Sequence, residues 1–85
     1  MLSTDEVIRR LWDAQGYGNL AVWGDGTMNV VTPGSEPEEA PDNPHVVFKP
    51  LPLVGGYPML DHAIGDKTLR RHITDAVRGA GIEIE

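Results

Sequence analysis

The chain has 85 residues, a formal charge of −6 and no cysteine. The acidic balance argues against non-specific nucleic-acid binding, which needs clustered Lys and Arg to neutralise phosphate. The missing thiols exclude a disulfide framework, a cysteine nucleophile and a Cys-based zinc site.

Ser3-Thr-Asp-Glu6 has the form of a capping box, with Leu2 and Val7 placed as a hydrophobic staple around it. Val7, Ile8, Leu11 and Trp12 follow at helical spacing, Asp5–Arg9 and Glu6–Arg10 are spaced to pair on the outer side, and Gly16 stops the run. The pattern predicts a helix over 3–15.

Asn19 to Thr32 predicts a hairpin around Gly24-Asp25-Gly26. A two-residue turn at Asp25-Gly26 would put Trp23 opposite Met28 and leave both faces apolar. A three-residue loop, with Gly26 left-handed, pairs Trp23 with Thr27 and Val22 with Met28. It places Leu20, Val22, Met28 and Val30 on one face, and Ala21, Trp23, Thr27 and Val31 on the other. The second register is expected, because a half-buried sheet requires that segregation. It sets Trp23 and Val31 together on the outer face.

Pro33 to Pro44 carries four prolines and four acids with Ala40 as its only apolar residue, the composition of a mobile, solvated loop. Residues 45–50 read as a third strand, and Pro50 and Pro52 as holding Leu51 and Leu53 in a stiff extended segment at an edge. Gly55-Gly56 marks a turn, and Tyr57-Pro58 is a bond where a cis isomer is conceivable. Pro58 opens a short helical turn that Gly65 ends. Asp66 is a suitable cap for a last helix over 66–79, whose stripe is Leu69, Ile73, Ala76, Val77 and Ala80. On its outer side Arg71 and Asp75 are spaced to pair. Ile82-Glu-Ile-Glu85 alternates with period two, which predicts a short terminal strand at a sheet edge.

The fold class expected is therefore α+β, as a single domain over 1–85. It is a two-layer sandwich in which the antiparallel sheet (hairpin 19–32, strand 45–50 and the short C-terminal strand) is covered on one face by helices 3–15 and 66–79. No apolar run approaches the roughly 20 residues that cross a bilayer. Met1 to Glu6 also lacks the basic and apolar regions of a secretory signal, so a cytoplasmic location is expected. Five Arg against two Lys, with abundant Ala, Val, Gly and Pro, point to a GC-rich bacterial or phage genome.

No motif specifies a reaction. His45, His62 and His72 lack the spacing that puts two ligands on one helical face. Ser3 is a cap, and Ser35 lies outside any nucleophile elbow. The Asp25 turn is explained by its glycines. No catalytic residue, cofactor or metal is therefore expected.

Two binding readings remain. The first is a non-enzymatic protein–protein interaction module, accessory, regulatory or inhibitory, that associates with itself as a homodimer or with another protein. Its contact residues would be Trp23, Thr27 and Val31, joined by the acidic Glu36, Glu38 and Glu39, because a rigid aromatic buries area at little entropic cost. The alternative is nucleic-acid binding through Lys67, Arg70, Arg71 and Arg78 on the last helix.

Overall fold

A computed structural model describes residues 2–31 and 44–85. The element order is α1 (Thr4–Asp13), β1 (Asn19–Val22), β2 (Met28–Val31), β3 (Val46–Phe48), α2 (Pro50–Val54), α3 (Leu60–Gly65) and α4 (Lys67–Gly79). The three strands form one antiparallel sheet in the order β2-β1-β3, packed against the helices. This is the α+β two-layer architecture expected.

α1 starts where the cap requires. The Ser3 hydroxyl accepts from the Glu6 N–H at 3.4 Å, and Leu2 and Val7 both enter the core. Glu6 does not complete the reciprocal bond of the box; its carboxylate turns to Arg10 at 3.8 Å. The buried positions Thr4, Val7, Ile8, Leu11 and Ala14, with half-buried Trp12, cover an arc of about 160° on the helix. So wide an arc serves several partners, and α1 packs on β1, α2, α3 and α4.

The hairpin adopts the three-residue register. Val22 pairs with Met28 and Leu20 with Val30, the Trp23 N–H donates to the Thr27 carbonyl at 2.8 Å, and Gly26 sits at φ +88°. Asp25 Oδ1 accepts from the Thr27 N–H at 2.9 Å, so the acid serves the turn. Val30 departs from the inward set, being 39% exposed. It lies on an edge strand, beyond the cover that α1 gives Leu20 and Val22. The outer edge of β2 is also altered locally, because the Val30 N–H is taken up by the neighbouring Asn29 Oδ1 at 3.0 Å.

Several boundaries differ from the sequence expectation. The third strand is only Val46–Phe48, and residues 50–54 are helical rather than extended. Proline at the first helical position needs no N–H donor and has its φ preset, so Pro50 begins α2 where it had suggested an edge segment. The terminal alternation does not join the sheet. Ile84 forms a parallel bridge with Leu2, the Glu85 N–H donates to the Leu2 carbonyl at 2.8 Å, and the Thr4 N–H donates to the Glu85 carbonyl at 3.1 Å. Asp5 pairs with Arg70 of α4 rather than with Arg9, and no Arg71–Asp75 ion pair forms among the described residues. All peptide bonds described, Tyr57-Pro58 included, are trans.

α4 is bounded at both ends by side-chain and backbone chemistry. Asp66 accepts from the Thr68 and Leu69 N–H groups at 2.8 and 3.3 Å. At the other end Gly81, at φ +84°, donates to the Arg78 carbonyl while the Ile82 N–H reaches back to Val77, a Schellman closure that returns the chain toward Leu2.

The Thr4 hydroxyl is buried where these ends meet. It donates to the Glu85 carbonyl and lies 3.2 Å from the Thr74 hydroxyl, which itself donates to the Arg70 carbonyl at 2.7 Å. Thr4→Val keeps the shape and removes the donor, and is expected to cost about 1–2 kcal/mol in urea unfolding. Gly26→Ala is expected to cost about 1 kcal/mol because of its left-handed φ. Gly56→Ala, which meets open space without that constraint, should change stability by only a few tenths of a kcal/mol.

Candidate functional site

The residues singled out by sequence fall in four places. Trp23 and Thr27 form the hydrogen-bonded pair beside the hairpin tip, Trp23 half-buried and Thr27 exposed. Val31 shares their face but pairs with Asn19 at the far end of β1. Four residues, or about 13 Å of strand, separate it from the tip. Trp23 and Val31 are thus the two ends of a face rather than one patch, with buried Ala21 between them and Val47 of β3 beside Ala21. The core cluster takes none of Ala21, Trp23, Val31 or Val47, and Val47 is 47% exposed. Glu36, Glu38 and Glu39 lie outside the described residues, as does the loop 33–44 apart from Pro44.

On α4, Lys67, Arg71 and Arg78 are exposed and fall within about 40° of one another around the helix. Arg70 is separated from them in role. Its guanidinium binds Asp5 and donates to the Ile64 carbonyl at 3.1 Å, fixing α4 to α1 and α3. Arg78 has a weaker tie, 3.4 Å to the Ile84 carbonyl.

The histidines are dispersed over the hairpin tip, α3 and α4. His45 precedes β3, its N–H donating to the Val22 carbonyl at 2.9 Å. Its ring lies so close to Gly24 that an added Cβ would meet it at 2.4 Å. No group of three or more His, Asp or Glu side chains is placed to hold a metal among the described residues.

Two concave surfaces lie at opposite ends of β1. A cleft of about 630 Å³ is bounded by the hairpin tip, the start of α1 and the turn after α4, with Glu6, Asp25 and Glu83 on its walls. The Thr27 hydroxyl, and then its backbone N–H, hold the Asp25 carboxyl below its ordinary value; the charge of nearby His45 adds a smaller push the same way.

A shallower groove of about 380 Å³ lies beyond Asn19, lined by Tyr17, Lys49, Leu51 and Pro52. Tyr17 and Leu51 are 75% and 61% exposed, the highest values among the large hydrophobic side chains described. Sequence reasoning passed over both, placing Leu51 only as part of an edge segment. The signal available was Gly16-Tyr17-Gly18, where an aromatic has only glycines beside it, and Pro50-Leu51-Pro52, where a leucine stands between two prolines.

Comparison with known proteins finds no family model, no curated protein and no solved structure that matches the chain.

One electrostatic feature belongs to the scaffold. The Tyr57 hydroxyl donates to Asp66 Oδ2 at 2.5 Å. That bond first, and the backbone N–H groups of Leu69 and Thr68 after it, hold the Asp66 carboxyl below its ordinary 3.8. The same bond raises the Tyr57 hydroxyl above its ordinary value. A carboxyl depressed on folding binds fewer protons in the native state. Its contribution is complete above the unfolded value of 3.8 and is lost as pH falls through the folded value. Tyr57→Phe removes the largest cause. Urea midpoints measured between about pH 7 and pH 3 should therefore decline less steeply with acid in Tyr57→Phe than in the wild type.

Proposed function

We propose that the protein is a non-enzymatic interaction module that associates with itself through the outer sheet face and the groove adjoining it. The face carries Trp23, Thr27, Val31 and Val47, and at its Asn19 end it runs into the groove of Tyr17 and Leu51. The observation that carries this reading is the exposure of Tyr17 and Leu51 at 75% and 61% on one concave surface. A large rigid ring and a leucine in a groove are the side chains from which interface hot spots are built, and burying each contributes about 1.5–3 kcal/mol.

Lateral strand pairing is a poor route to the same end. The edge N–H of Val30 is already bonded to Asn29, and β3 has three residues between Pro44 and Pro50. Contact by faces is left, and a self-complementary face gives a two-fold dimer. An accessory or regulatory role for the dimer, in a bacterial or phage cytoplasm, is the biological form of the reading.

A second reading has one observation behind it, the alignment of exposed Lys67, Arg71 and Arg78 on α4. Filter binding of mixed DNA and RNA at about 50 mM salt tests it, and no retention excludes it.

For the first reading, sedimentation equilibrium is the direct measurement. Tyr17→Ser combined with Leu51→Ser should raise the dissociation constant about a hundredfold, or about 3 kcal/mol. At concentrations where both proteins are monomeric the melting temperature should hold, because neither side chain is in the core. Trp23→Ala should also weaken association while leaving far-UV dichroism near that of the wild type; collapse of the dichroism would make Trp23 a core residue instead. A wild-type protein that stays monomeric up to about 1 mM overturns the reading.

A further inference from the structure

The groove beside Asn19 has a chemistry specific enough to name its occupant. Among the described residues lining it, Lys49 is the one with a charge, and it is positive in a chain of net charge −6. Around it stand an aromatic ring, a leucine and proline rings from Tyr17, Leu51, Pro50 and Pro52. Grooves lined by aromatic and proline surface take extended, proline-bearing segments, whose low conformational entropy in the free state reduces the cost of ordering them. A single cation at such a groove selects an acidic segment and rejects a basic one.

The chain carries a segment of that description. Residues 33–44 hold four prolines and four acids, Glu36, Glu38, Glu39 and Asp42. The segment follows Val31 in sequence after one residue, and Val31 pairs with Asn19, a wall of the groove. Residues 32–45 join Val31, level with Asn19, to Val46, level with Val22 on the other side of β1. That gap is about 14 Å, while fourteen residues in an extended proline-type conformation reach about 43 Å. The slack is enough for a neighbouring molecule to be reached without disturbing the sheet.

Resting on the self-association proposed above, the geometry points to reciprocal exchange. The acidic, proline-rich segment 33–44 of each copy seats in the Tyr17–Lys49–Leu51 groove of a second copy. The arrangement brings a local anion to a local cation, and so answers the general repulsion between two chains that are each acidic.

The test is a charge exchange read by sedimentation equilibrium. Lys49→Glu reverses the groove, and Glu36→Lys with Glu38→Lys and Glu39→Lys reverses the segment. Each variant alone should self-associate about tenfold or more weakly than the wild type. Lys49→Met, which keeps the stem and removes the charge, should weaken association to an intermediate extent. An equimolar mixture of Lys49→Glu with the triple variant should regain association, because in the mixed pair both segments meet grooves of opposite sign. Far-UV dichroism of each variant should match that of the wild type, Lys49 being exposed.

The inference fails if the mixture is no heavier than its components, which is the result expected when each segment occupies its own groove. It also fails if the wild type dimerises and Lys49→Glu dimerises equally well; self-association through the outer face would then stand without segment exchange. A monomeric wild type removes both readings together.

Discussion

The apolar arc of α1 is the surface on which the remaining elements are assembled. Val7, Ile8 and Leu11 are wholly buried, and the helix meets β1 and all three other helices. A sheet of three short strands has too little of its own surface to form a core, and α2 and α3 are each shorter than two turns. Both acquire definition by resting on α1, whose start is set locally by the Ser3 cap. The bonds between Leu2, Thr4 and Glu85 then fix the start of α1 against the segment that follows α4.

Signals confined to a few neighbouring residues were the ones legible in the sequence. The Ser3 and Asp66 caps, the stripes of α1 and α4, and the glycine bulge of the hairpin each rest on interactions within about one turn. The hairpin register followed from them, since only one pairing separates apolar from polar faces. What depended on distant partners was not legible. Asp5 has Arg9 four residues away, yet it takes Arg70, because α4 lies beside α1 and presents a guanidinium already held by the Ile64 carbonyl. Ile84 alternates as a strand should, but the edge it meets is the segment before α1. Proline at 50 was ambiguous by its nature, since a fixed φ near −65° suits both an extended segment and a first helical turn.

For the residues singled out on the sheet, the shared face was legible and their separation along it was not. An outward sheet face bearing Trp23 and Val31 followed from the register, and the structure has it, with the two residues at opposite ends. The groove that joins this face was not foreseen, because its walls come from the α1–β1 connection and from α2, which only the tertiary fold brings together. Exposure is a difference between what a residue is and what the fold leaves uncovered, and no local pattern reports it. Arg70 shows the converse. Composition made it one of four equivalent bases, whereas packing turned it into a strut between helices.

Asn29 has a bearing on how the molecule behaves when many copies are crowded together. An edge strand with open N–H groups is a template on which further chains add, layer upon layer, toward a fibril. By giving its own side chain to the next backbone N–H, Asn29 withdraws a donor from that template at the middle of β2. The exposed valines Val30 and Val47 lie on the two outer strands and on opposite faces of the sheet, so they do not form the continuous apolar ladder that growing aggregates require. The edge of β2 is thereby made a poor site for a further strand to add.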